Sequence, residues 1–213
     1  MPGIKFLLLV SALTFLIGGC TAPDKPSIAL YLAVQRGDLD QLERHIYWET
    51  DINALLPNGQ TPLQVAAEKG RIVMVRTLLK HGANIDARSS KDESALDLAI
   101  LNGRTQIAEV LIGEGATLDA SALLTKAARI GVTDRDTVRF LVERGADTEH
   151  RDDSGDTALL IAIRQDNHRL ATHLVNLGAD VNVATRDGQS ALALARSLKL
   201  GELVSLLQRQ GAI

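Results

Sequence analysis

Cysteine is almost absent. Cys20 is the only one in 213 residues, so no disulfide can form within the chain. Aromatics are scarce at 3%, which leaves Leu and Ala to build the core and suits small, closely packed helices. There is no basic excess: 23 Lys and Arg stand against 26 Asp and Glu, without the bulk positive field that nucleic-acid binding requires. Long hydrophobic runs are missing except Phe6 to Ile17, too short for a stable membrane-spanning helix. What remains is 46% apolar with 17 glycines, enough for a folded core.

The one apolar run is preceded by Lys5 and the free amine and followed by small residues, the three-part form of a secretory signal. Its end, Ile17-Gly18-Gly19-Cys20, resembles the lipobox of bacterial lipoproteins. The resemblance implies cleavage before Cys20, a diacylglyceryl group on its sulfur and acylation of the new amine. Several acyl chains, at about 0.8 kcal/mol per buried methylene, make such anchoring effectively permanent. Thr21 after the cysteine, in place of Asp, points in enteric-type sorting to the outer membrane. The expected organisation is a signal peptide (1–19), a lipidated tether (20–26) and a folded domain (27–213) facing the periplasm. The mature chain would carry 22 basic and 26 acidic residues, a net charge of −4. Its tether holds Pro23 and Pro26 and reaches at most about 25 Å, which keeps the domain near the bilayer.

The rest of the chain repeats. Gly37, Gly70 and Gly103 are 33 residues apart, as are Gly82 and Gly115, and then Gly145, Gly178 and Gly211. Helix openings align as Thr61-Pro62-Leu63, Ser94-Ala95-Leu96, Thr157-Ala158-Leu159 and Ser190-Ala191-Leu192, each after a polar turn. Thr61 suits an N-cap, Pro62 the first helical position, and Gly70 a left-handed helix end. Gly82-Ala83-Asn84, Gly145-Ala146-Asp147 and Gly178-Ala179-Asp180-Val181-Asn182 close their units. This pattern resembles the ankyrin repeat. It implies an all-α ankyrin-repeat solenoid, with a partial first unit (27–56) and five more near 57–87, 88–120, 121–150, 151–183 and 184–213. Gln64, Asp97, Thr125, Leu160 and Ala193 stand where the family has His, so a hydrogen bond to the neighbouring turn should be altered or lost. In the unit near 121–150, Leu118-Asp119-Ala120 runs straight into the helix, and about two extra residues fall near Thr133-Asp134-Arg135. A missing hairpin and a changed stacking angle are expected there. Asp166-Asn167 replaces a helix-ending glycine, a place that Asn can serve.

Catalytic patterns are not found. His45, His81, His150, His168 and His173 form no His-Glu-x-x-His helix and read as surface side chains. Asp152 to Asp156 only faintly resembles a calcium loop, without its length or final Glu. The expectation is a non-enzymatic protein-binding monomer, with no cofactor, metal, nucleic acid or small-molecule substrate. The family resemblance places partners on the concave face of the first helices and on the hairpin tips. On the helices the candidates are Arg36, Lys69, Leu101, Arg129, Ile130 and Arg164. At the tips they are Lys91, Asp92, Asp152, Asp153, Arg186 and Asp187. The four cations read either as a basic stripe or as an ordinary solvated face. Tyr47 and Trp48 read as a cap on the first core, or as residues for a membrane interface. Two roles fit such a binder: a scaffold or stabiliser of a periplasmic enzyme or complex, and an immunity protein that neutralises a toxin delivered to the periplasm.

Overall fold

The computed structural model describes residues 22–213, and Cys20 with the signal segment lies outside them. Among the described residues there are six helix pairs: α1 (Leu30–Arg36) with α2 (Leu39–Tyr47), α3 (Pro62–Glu68) with α4 (Ile72–Lys80), α5 (Ala95–Leu101) with α6 (Thr105–Gly113), α7 (Ala120–Arg129) with α8 (Arg135–Glu143), α9 (Ala158–Arg164) with α10 (His168–Asn176), and α11 (Ala191–Ser197) with α12 (Gly201–Arg209). None of these helices is long and apolar enough to cross a membrane.

Helices of seven to ten residues are marginal alone, and here caps and neighbours hold them. Thr61 and Ser94 close capping boxes with Gln64 and Asp97, and Thr157 and Ser190 cap through their hydroxyls. Ala66, Ala67, Ala99, Ala128, Ala162 and Ala195 are almost fully buried, which lets paired helices approach closely. The Leu and Ile positions around them join into one core along the whole stack.

Gly37 and Gly70 show why glycine ends the first helices. Both take positive φ (79° and 75°), and the next unit's arginine crowds the space where a Cβ would stand. Arg71 donates to the Arg36 carbonyl (3.3 Å) and Arg104 to the Glu68 carbonyl (3.4 Å). Each arginine thus satisfies a helix-end acceptor one unit back.

Several expectations need correction. Gln64 keeps the link to the next turn, because its Nε2 donates to the Ala87 and Glu93 carbonyls at 2.7 and 2.9 Å. Asp97 and Thr125 turn instead to their own unit. Where the helix-ending glycine is replaced, Asp166 takes the left-handed conformation (φ 52°), and Asn167 caps α10. His45 is buried at 8% exposure, with Nε2 2.8 Å from the Ile28 carbonyl and Nδ1 3.0 Å from Thr50 Oγ1. The segment before α1 has partners that the sequence did not foretell. Residues 23–28 lie back along α2, joined to Gln41, Arg44, His45 and Trp48.

The irregular unit has the longer loop and lacks the turn that its sequence foretells. The loop from Gly131 to α8 is two residues longer than the one from Gly70 to α4. No turn precedes α7, whereas closed turns stand at Leu56–Gln60, Ser89–Glu93, Asp152–Asp156 and Thr185–Gln189. At this joint α5 and α7, and likewise α6 and α8, pack less closely than the corresponding helices of other neighbouring units. Polar links cross it instead: Lys126 to Glu93 (3.1 Å), Arg144 to Glu109, and Thr137 Oγ1 to the Ile100 carbonyl (3.5 Å).

Candidate partner-binding surface

The concave side is built from the exposed faces of the first helices and the turns beside them. Within each unit that has a turn, the residue five places before the left-handed end of the first helix is apolar and buried: Val65, Leu98, Ile161 and Leu194. In the turnless unit that place is Lys126, and in the partial first unit it is Leu32, both more exposed. Lys126 is therefore the sequence signal of the missing turn, and it escaped the sequence analysis.

The gap opens into a cleft of roughly 640 Å³, with Ala122, Lys126 and Arg129 of α7 on one side and His150 to Ser154 on the other. The two cations splay apart: Lys126 pairs with Glu93 of the preceding turn, and Arg129 donates to Asp152 of the following one. Ile130, next to Arg129, is 57% exposed. A second recess of about 370 Å³ lies between the turns at Asn58–Gln60 and Ser89–Glu93, with Glu68 and Asn102 in its wall.

The basic stripe is less free than its spacing suggests. Arg36, Lys69, Arg129 and Arg164 are all exposed, yet three of them are neutralised locally. Lys69 pairs with Glu68 (2.9 Å), Arg129 with Asp152, and Arg164 with the buried Asp156 (2.6 Å). Arg36 has no ion-pair partner among the described residues. Leu101 packs half-buried against the core. At the turns, Lys91, Asp92, Asp153, Arg186 and Asp187 are exposed. Asp152 is half-buried and folds its own turn, accepting from the Ser154 and Asp156 backbone N–H groups.

These contacts set the charges. Burial works to raise the Asp152 carboxyl, but bonds from Ser154, the Asp156 and Ser154 amides and the Arg129 charge outweigh it and hold it below 3.8. Burial likewise opposes ionisation of Glu68, and the bond from Gln60 (2.7 Å), together with Lys69 and Lys91, holds it below 4.5. Arg164 is raised, chiefly by its bond to Asp156. Among the described residues no group of three His, Cys, Asp or Glu is placed to hold a metal ion. The surface offers alternating, locally paired charges around an open cleft, an arrangement for recognising a complementary surface.

The family model for ankyrin repeats matches residues 30–122 and 124–212. The chain belongs to the ankyrin-repeat family. The two matched stretches meet in the turnless α7, at the loose joint. Among solved structures the ankyrin-repeat chain is similar to the immunity protein in a complex with a predatory endopeptidase from Bdellovibrio bacteriovorus. The two share 27% identity with a TM-score of 0.69, over 87% of this chain and 99% of that one. It is also similar to the ankyrin-repeat domain of Bcl-3, at 28% identity and a TM-score of 0.72 over 89% of each chain. The chain spans a third or less of the length of the curated relatives it matches. One is an L-asparaginase of Dirofilaria immitis, 29% identical over 193 residues, which are 86% of this chain and 32% of that protein.

Proposed function

We propose that this ankyrin-repeat chain is lipid-anchored at Cys20, faces the bacterial periplasm, and binds a protein through its concave surface, centred on the α7 cleft. Of the two roles open to such a binder, immunity is favoured: the partner is a secreted or invading hydrolase, and binding blocks it. The observation that carries this reading is the likeness to an immunity protein across 99% of that protein's length, in a complex with a peptidase. An anchor supports the same role, since it holds the inhibitor where such an enzyme arrives. An open cleft lined by locally paired charges is a surface suited to binding a protein.

The reading is tested by co-expressing the chain with the secreted hydrolases of its own bacterium, each directed to the periplasm. Immunity predicts that one hydrolase halts growth and that the wild-type chain restores it. A Cys20→Ser variant should lose fatty-acid labelling and leave the membrane. If no hydrolase is neutralised, and loss of the chain instead lowers the level of a resident envelope enzyme, the scaffold role replaces immunity.

A further inference from the structure

The described residues contain four aromatic side chains, Tyr31, Tyr47, Trp48 and Phe140, and three of them belong to the first helix pair. Tyr47 and Trp48 sit at the end of α2, edge to face with centroids 5.7 Å apart. They remain 55% and 42% exposed. Two large rings left in water on a chain so poor in aromatics are not explained by capping the core.

The tether leads to these rings. Trp48 Nε1 donates to the Pro23 carbonyl (3.2 Å), and the Lys25 ammonium stands 5.4 Å from the Trp48 ring centre. Arg44 reaches Asp24 (3.6 Å), Gln41 accepts from the Ser27 amide (2.9 Å), and His45 holds the Ile28 carbonyl. These bonds fix the direction in which the chain leaves the fold. Cys20 is three residues before Pro23, a reach of at most about 10–11 Å. An acyl chain on Cys20 would therefore start within about 11 Å of Pro23, whose carbonyl Trp48 holds.

We infer that the Tyr47–Trp48 edge rests in the headgroup region of a zwitterionic phospholipid bilayer, oriented by the tether strapped along α2. The inference rests on the proposed anchor at Cys20. Indole and phenol rings, apolar in body and polar at the tip, suit that zone. Residues 22–53 carry three cations (Lys25, Arg36, Arg44) and six acids (Asp24, Asp38, Asp40, Glu43, Glu49, Asp51), so attraction to anionic lipid is not the driving force. The contact is aromatic and insensitive to salt.

Trp48 and Cys20 are each the only residue of their type, which makes the test specific. The chain from Cys20 onward is coupled through its thiol to maleimide-bearing phosphatidylethanolamine in phosphatidylcholine vesicles. Trp48 emission is then compared with and without lipids brominated high in the acyl chain. The expected result is a drop of about twofold or more, the same when salt is raised to roughly 0.5 M. Moving the probe to the far end of the stack with Trp48→Phe and Ile213→Trp should abolish the quenching. Vesicle-coupled protein whose Trp48 emission ignores brominated lipid overturns the inference. So does a blue shift that depends on protein concentration without vesicles, which would assign the edge to a second copy. Mass measurement of protein extracted from cells checks the anchor separately. A missing acyl mass sinks the anchor and this role with it, whereas an acylated protein without quenching sinks only the contact.

Discussion

At the scale of single residues, Gln64 does more than its place in the repeat implies. It is fully buried, accepts from the Thr61 amide (2.8 Å) and donates to two carbonyls of the next turn. Gln64→Ala would strand those carbonyls and one N–H, each an unmet buried group. A loss of about 2–4 kcal/mol is expected in denaturant melts, whereas Gln64→His should stay close to wild type. The departure from the family's His was plain in the sequence, but its outcome was not. A side chain of similar reach can make the same bond, and only coordinates show that it does. Asp152 gives a pH signature. Its folded pKa is depressed, so its stabilisation is present above the ordinary value of 3.8 and is lost as pH falls through the folded value. Asp152→Asn should therefore be less stable than wild type near pH 6, by on the order of 1 kcal/mol, with the gap closing at acid pH. Melting both proteins across pH 2–6 checks this, and a constant gap would count against it.

At the scale of elements, the turnless third unit is the weak place. Both its missing turn and its longer loop were legible, because each breaks a strict spacing of 33 residues. Less legible was how the joint is held. Close helix packing stops between α5 and α7, and ion pairs such as Lys126–Glu93 and Arg144–Glu109 span the step. Arg144–Glu109 lies between exposed residues and Lys126–Glu93 between half-buried ones at the surface, and such pairs contribute little and are screened by salt. Hydrogen exchange should therefore be faster across 121–135 than across 61–80, and the difference should grow with added salt. Slower exchange at 121–135 would show that the joint is tighter than its packing indicates. The tether was the opposite case. Its two prolines and its reach were legible, but nothing local in Pro23 to Ser27 foretells its partners on α2.

At the scale of the whole molecule, stacking creates a surface that no single unit possesses. The positions of Arg36, Lys69, Arg129 and Arg164 followed from the repeat, and all four stand exposed. Their pairing with Glu68, Asp152 and Asp156 did not, because it depends on rotamers and on the turns beside each helix. Lys126 was passed over since it lies at a place that is apolar elsewhere, and that exception marks the cleft. The claim that joins these scales is that the partner enters the concave face at α7. The most direct measurement places a photoreactive residue at Ala122, on the cleft wall, or at Arg76, on the outer helix α4, in living cells that express the full chain. Irradiation should give one discrete crosslinked adduct from position 122 and none from position 76. An adduct formed only from position 76, in cells where both variants are equally abundant, would contradict the account.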